Sequence, residues 1–339
     1  MKKRIRTAGW AKSFERSFVA MTRLAAASGS RALAKTLKPA VARRTPPPGA
    51  GAWIPGVVVG TGGAKRFKLY RPPGVQLAER LPLMVMLHGC GQDANGFAAS
   101  TRMNRIAMRE RFLVLYPEQD RLANGQGCWN WFDTGSGRAF AEAALILQAI
   151  DQVCLLHPAD KARVAIAGLS AGASMAALLV TRYPQRFKAV VMHSGIPPGT
   201  AHSRLSALGA MQGRRATLPL AATANTMAAN WPPLLVIHGD ADAVVSPHNG
   251  LAAVHAWSQA AGARASAVRS VQRGKRYSMA VTDFERQGSA VATLVVVDGL
   301  AHAWSGGAAS QPFSDGQGPD ASRMAWAFAA KQFRAALTV

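Results

Sequence analysis

From Trp53 onward, short apolar runs alternate with longer mixed segments. The runs at 66–70, 83–87, 112–116, 164–167, 189–192, 234–237 and 293–297 read as strands, most of them nearly continuous in Val, Leu, Ile, Met and Ala. A strand without polar alternation is covered on both faces. Between these runs, 138–155, 171–183, 248–261 and 319–337 are long and Ala-rich enough for crossover helices. Strand then helix, repeated, predicts an α/β fold with a mostly parallel central sheet and helices on both faces. Residues 197–232 are long for a plain connection and predict a short helical cap or a substrate-shaping loop.

Upstream the pattern changes. Phe14, Phe18, Met21, Leu24 and Leu33 interleave with Arg16, Arg23, Arg31 and Lys35, a spacing compatible with a basic amphipathic helix or with a loosely ordered solubilising tail. Pro46-Pro47-Pro48 then stiffens the backbone, which places a boundary between a basic leader, residues 1–50, and a catalytic domain, residues 51–339.

Composition narrows the classes. The 339 residues are 49% hydrophobic and 17% charged, enough apolar side chain to exclude a disordered chain. The formal charge is +23, and residues 1–50 hold 12 Lys and Arg against Glu15 alone, a net +11. Such a field draws anionic surfaces, a polymer granule among them, through the leader; specific nucleic-acid recognition is not expected. Three cysteines exclude a disulfide-dense scaffold and show no zinc-site spacing, while a single Cys90 to Cys128 bridge stays open. No apolar run approaches the roughly 20 residues of a membrane span. The leader's best apolar stretch, 18–27, is interrupted by Arg23 and lacks a small-residue cleavage site. A cytoplasmic or granule-associated protein is expected, with secretion as the alternative.

The chemistry centres on Gly168-Leu169-Ser170-Ala171-Gly172, which follows an apolar strand and opens an Ala-rich helix. That is the context of a nucleophile elbow, where flanking glycines tolerate a strained turn and close backbone approach. The competing reading is an ordinary turn in which Ser170 caps a helix. A serine nucleophile needs a histidine base and a carboxylate to orient it. Asp240 and Asp242 lie in the loop after the 234–237 strand; Asp242 is preferred as the acid, with Asp240 as a loop brace. Among eight histidines, His302 follows the last strand in a glycine-bounded loop and is the preferred base; His193 and His238, at strand ends, are weaker competitors. For the oxyanion, the backbone amides of Cys90, in the turn Leu87-His88-Gly89-Cys90-Gly91-Gln92, and of Ala171 are the candidate pair.

Five segments then agree with one family: LHGCGQ at 87–92, CWNWF at 128–132, GLSAG at 168–172, HGDADAVVSPHN at 238–249, and GLAHAWSGG with GPDASR near the end. The chain from about Trp53 onward resembles the polyhydroxybutyrate depolymerase-like esterases, serine hydrolases of the α/β-hydrolase fold. The resemblance implies Ser170 as nucleophile, Asp242 as acid, His302 as base and an oxyanion hole on the Cys90 side, with no metal or organic cofactor. The expected substrate is poly(3-hydroxybutyrate), its oligomers or short hydroxyalkanoate esters. The alternative is a feruloyl or acetyl-xylan type of carbohydrate ester, and from another class, a basic granule- or nucleic-acid-binding protein on a hydrolase scaffold. Trp129, Trp131, Phe132 and Trp304 lie beside the catalytic loops, where flat apolar surface can grip an ester; Trp304, two residues from His302, is given the best place in the cleft.

Overall fold

The computed structural model describes residues 50–215 and 230–335. The leader, with the helix expected in it, and the middle of the 197–232 insertion lie outside these residues. In chain order, a hairpin of β1 (Ala52–Gly60) and β2 (Gly63–Arg71) precedes β3 (Leu81–Leu87). Two short helices, α1 (Ala94–Thr101) and α2 (Met103–Glu110), lead to β4 (Leu113–Glu118). Then α3 (Arg138–Leu156), β5 (Ala159–Leu169), α4 (Ala171–Arg182) and β6 (Ala189–His193) follow, and after them α5 (Arg204–Met211), β7 (Leu234–Gly239) and α6 (His248–Ala261). The C-terminal part holds β8 (Arg264–Ala265), β9 (Arg269–Val271), β10 (Met279–Arg286) and β11 (Ser289–Val297), then β12 (Trp304–Ser305), β13 (Ser314–Asp315) and α7 (Ala321–Ala335).

One sheet of 11 strands runs in the order β1-β2-β4-β3-β5-β6-β7-β11-β10-β8, with β9 beside β10. From β4 to β11 every neighbour is parallel; antiparallel pairs occupy both edges. The central strands separate two cores. In β3, Leu83, Val85 and Leu87 join one apolar cluster while Met84 and Met86 join the other; in β5, Val164 and Ile166 oppose Ala165, Ala167 and Leu169 in the same way. Helices α3, α4 and α6 cover the first face, and α1, α2 and α7 the second. Burial on both sides is why these strands read as unbroken apolar runs.

The edge strands were invisible as apolar runs because one face meets solvent: β1 exposes Val57 and Val59, and β10 alternates buried Met279, Val281 and Phe284 with more accessible polar positions. Helix α3 has the length and apolar composition of a membrane span, yet it packs Ala139, Ala143, Ile146 and Ile150 into the core of this domain.

Register brings the chemistry to one edge. Leu87 of β3 stands opposite Gly168 of β5, Leu169 opposite His193 of β6, His193 opposite Ile237 of β7, and Gly239 opposite Val297 of β11. The loops after these strands therefore share the carboxyl edge of the sheet, where open α/β folds bind ligands. The insertion contributes α5, whose C-terminal end is fastened to the β7–α6 connection and the first turn of α6, by Ser246 N–H donating to the Met211 carbonyl (2.7 Å) and Asn249 Nδ2 to that of Ala210 (2.9 Å).

Candidate active site

Ser170 joins β5 to α4 at φ 57° and ψ −120°, a backbone region that costs a non-glycine residue about 1–3 kcal/mol. Packing holds it there. Its N–H donates to the His193 carbonyl (2.8 Å), and its carbonyl accepts the Ser174 amide (3.0 Å). The two flanking glycines are sterically required: a Cβ on Gly168 would meet the Gly172 carbonyl carbon at 2.3 Å, and one on Gly172 would meet the Leu87 carbonyl oxygen at 2.2 Å. The turn thus presses the helix N-terminus against the end of β3, and the capping role considered for Ser170 is not taken, since its side chain makes no cap hydrogen bond.

Asp242 and His302 meet. His302 Nδ1 donates to Asp242 Oδ2 at 2.8 Å, and both side chains are buried. The other carboxylate oxygen, Oδ1, accepts the amides of Val244 and Val245, each at 2.9 Å. Burial would push this carboxyl upward, but the His302 charge and the hydrogen bonds from His238 and His302 outweigh it and hold Asp242 well below the usual carboxylate range. Asp240 takes the bracing role, its Oδ1 accepting the Gly299 amide (2.7 Å) at the base of the His302 loop.

The competing histidines are committed elsewhere. His238 Nε2 donates to the Val245 carbonyl (2.9 Å) and lies 3.4 Å from Asp242 Oδ2, making it a second support for the acid. His193 Nε2 accepts the Ser305 amide (3.1 Å), and burial together with the neighbouring His238 and His302 lowers its pKa to about 3. His193 also links the two halves of the site, its carbonyl holding Ser170 and its ring holding the residue three positions beyond His302. Among the described residues Ser170 Oγ has no hydrogen-bond partner, so the Asp242–His302 half of the relay is assembled and the serine half is open. Catalytic hydrogen bonds often close only when substrate binds.

Cys90 and Ala171 line the same cleft as Ser170, and neither backbone amide has an acceptor within the described chain. Cys90 and Cys128 form a disulfide, which ties the proposed oxyanion turn to the tryptophan loop. Behind that bridge lies a buried polar network that no motif or spacing in the chain indicates. Glu142, on α3, accepts from the Asn130 amide (3.0 Å), Asn130 Nδ2 (2.5 Å) and Gln119 Nε2 (2.7 Å). Lys65 donates to Gln119 and stands over the Trp129 ring, 4.9 Å from its centroid. Burial lowers the Lys65 pKa against the raising effect of Glu142 and Asp120. His88 donates through Nδ1 to the Gly89 carbonyl (2.8 Å) and accepts the Gln119 amide on Nε2 (3.1 Å); burial drops its pKa to about 4, so it is neutral.

A cleft lined mostly by apolar side chains opens beside Ser170. Trp129, Trp131 and Phe132 border it; Trp129 is fixed by its Nε1 donating to the His88 carbonyl (3.0 Å), and Trp131 meets Phe132 edge to face. Trp304 does not border it, which corrects its sequence assignment. Its ring is fully buried, stacked on His193 and edge-on to Phe97, with Nε1 donating to Ser322 Oγ (3.0 Å). The two-residue strand β12 turns the indole into the core, where its large apolar area is removed from water. From the insertion, Arg204, Ala207 and Met211 of α5 complete the wall, and no sequence pattern singled them out. Among the described residues no group of three or more His, Cys, Asp or Glu is arranged to hold a metal ion.

A parallel sheet bearing a serine on a strained strand-to-helix turn, with a carboxylate and histidine paired from later strand ends, defines the α/β-hydrolase fold. Residues 65–262 match the family Esterase PHB depolymerase, and the chain belongs to it. It is 34% identical over 175 residues to poly(3-hydroxyalkanoate) depolymerase C of Paucimonas lemoignei, covering 50% of this chain but 42% of that protein. It is 26% identical over 209 residues to feruloyl esterase B of Neurospora crassa, covering 58% of this chain and 70% of the relative. The acetyl xylan esterase of Aspergillus awamori shares the fold at a TM-score of 0.60 and 20% identity, over 74% of this chain and 94% of that one.

Proposed function

We propose that the chain is a serine esterase acting on hydroxyalkanoate esters. Ser170 attacks the ester carbonyl as His302 accepts its proton, Asp242 steadies the resulting imidazolium, and the amides of Ala171 and Cys90 receive the oxyanion. His302 then protonates the leaving alcohol, and water repeats the route to release the acid. What carries this reading is the buried Asp242–His302 hydrogen bond at the same sheet edge as the strained Ser170. Ser170→Ala should remove p-nitrophenyl butyrate hydrolysis and fluorophosphonate labelling while leaving the fold intact; retained labelling would exclude this serine.

For the acyl substrate, the apolar cleft and the Paucimonas lemoignei relative support hydroxybutyrate oligomers or amorphous polymer. The feruloyl esterase relative supports the carbohydrate-ester alternative. Parallel assays on hydroxybutyrate oligomers, amorphous polymer and methyl ferulate separate the two. The Cys90–Cys128 bridge supports folding in an oxidising compartment, against the cytoplasmic expectation. Alkylation of the native protein before reduction tests this, because two free thiols reject it. Residues 1–50 are assigned to attachment on an anionic or granule surface, and deletion of residues 1–48 should weaken co-sedimentation with polymer granules; unchanged sedimentation rejects that role.

A further inference from the structure

The cleft beside Ser170 is bounded by apolar and uncharged polar groups except at one place. Among the described residues, Arg204, the first residue of α5, is the single charged residue in its lining. Among the described residues the Arg204 guanidinium has no ion-pair or hydrogen-bond partner. The chain around it supplies none, since no Asp or Glu occurs between Lys161 and Gly239. The carboxylates in loops that reach the cleft are engaged elsewhere: Asp242 by His302 on one oxygen and two backbone amides on the other, Asp133 by Arg138 and the Ser136 hydroxyl, and Asp120 by the Leu122 amide. An unpaired guanidinium at the rim of an otherwise uncharged cleft presents a donor fork of the shape and charge that a carboxylate fits.

We propose that Arg204 binds the free carboxylate of an acid-terminated ester, so that the preferred substrates are short oligoesters of hydroxy acids rather than neutral sugar esters. The proposal rests on the esterase reading of Ser170. The polarity of such substrates assigns the step at which Arg204 acts. A hydroxy-acid oligoester runs from a free hydroxyl to a free carboxyl, so the carboxylate always lies on the alcohol side of the bond being cut. Ser170 Oγ bonds to the acyl carbon, the bond from that carbon to the alcohol oxygen breaks, and the proton taken by His302 passes to the leaving alcohol. The carboxylate departs with that alcohol, and the acyl group left on Ser170 carries no charge. Water then adds to the acyl-enzyme and the proton returns to the serine oxygen. Arg204 therefore promotes binding and acylation and has no contact to make during deacylation.

The test compares a hydroxybutyrate trimer as the free acid with the same trimer as its methyl ester, for the full chain and for Arg204→Ala, Arg204→Lys and Arg204→Glu. The natural chain should favour the acid by about tenfold in kcat/KM, the size expected of a charge-assisted contact at a partly solvated site. That preference should shrink as NaCl is raised, as screening requires. Arg204→Ala should bring the acid-to-ester ratio to about one, Arg204→Lys should keep part of it, and Arg204→Glu should invert it. A ratio equal in the natural chain and Arg204→Ala overturns the carboxylate assignment and leaves the esterase reading standing. If the natural, folded chain turns over neither trimer nor p-nitrophenyl butyrate, the esterase reading fails and this inference fails with it.

Discussion

Gly172, in the first turn of α4, approaches Leu87 at the end of β3 so closely that a Cβ there would stand 2.2 Å from the Leu87 carbonyl oxygen and 2.5 Å from that of His88. The same approach sets the Ser170 turn beside the turn bearing Cys90, so the distance between Ser170 and the proposed oxyanion amide of Cys90 depends on it. Gly172→Ala should cost about 1–3 kcal/mol of stability through overpacking. Activity should fall by more than tenfold as the two elements part. Urea unfolding with p-nitrophenyl butyrate kinetics checks both, and a variant with unchanged midpoint and rate would show that the approach is not needed.

Two aspartates in one loop take different work. Asp242 orients His302, whereas Asp240 holds only the Gly299 amide. Asp242→Asn keeps the shape but can favour the wrong imidazole tautomer, and kcat should fall by about a thousandfold or more. Asp240→Asn should fall by no more than about threefold. Equal losses in the two variants would mean that the acid has been misassigned.

The central strands, and the three residues proposed for the site, are legible in the sequence for one physical reason. Strands buried on both faces are continuous in apolar residues, and Ser170, Asp242 and His302 each lie within five residues of the end of one of them. Trp304 was misplaced because nearness to His302 along the chain says nothing about side-chain direction, and β12 points the indole inward. Glu142 is not legible in the sequence because an acid on a largely apolar helix is by default placed in solvent, as Asp151 on the same helix is; only tertiary packing brings Asn130, Gln119 and Lys65 to Glu142. Arg204 sits in the insertion, where no periodicity indicates which residues turn toward the cleft.

The Cys90–Cys128 bridge closes a loop with a sequence separation of 38 residues. By chain entropy alone, closing such a loop stabilises the folded state by about 4 kcal/mol, an upper figure if the reduced chain keeps residual structure. Cys90→Ser with Cys128→Ser should therefore lower the unfolding free energy by about 2–4 kcal/mol, and dithiothreitol should do the same to the natural chain but not to the double variant. If the reductant shifts both equally, the bridge is not its target.

Acid should unfold the protein earlier than its carboxylates alone require. In the unfolded chain His88 and His193 gain protons as the pH falls through about 6.5, while burial in the folded state keeps them neutral down to about 4 and about 3. Between those values the unfolded state binds more protons, so stability drops as the pH is lowered, by about 1.4 kcal/mol per unit for each histidine. Asp242, whose pKa is depressed, gives stability that is lost only at lower pH, below the ordinary carboxylate range. His193→Gln should reduce the slope of unfolding free energy between pH 6 and 4.5 by about one histidine's share. An unaltered slope would place the proton uptake elsewhere.

Glu142 offers the sharpest test of the buried network behind the tryptophan loop. Its truncation to Ala strands the Asn130 amide and Asn130 Nδ2 without acceptors, leaves Gln119 Nε2 only the Cys128 carbonyl, and removes the carboxylate that offsets the buried Lys65 charge. Leaving one partner of a buried charged set costs about 3–5 kcal/mol, far more than the set contributes relative to a well-packed apolar replacement. Glu142→Ala should therefore be severely destabilised and Glu142→Gln intermediate. Lys65→Met combined with Glu142→Met should recover part of the loss suffered by Glu142→Met alone, because the stranded charge goes with its partner. A double-mutant cycle from urea unfolding measures this coupling. If the two substitutions simply add, Lys65 and Glu142 act independently, and the Trp129 loop is held by its backbone contacts and the disulfide alone.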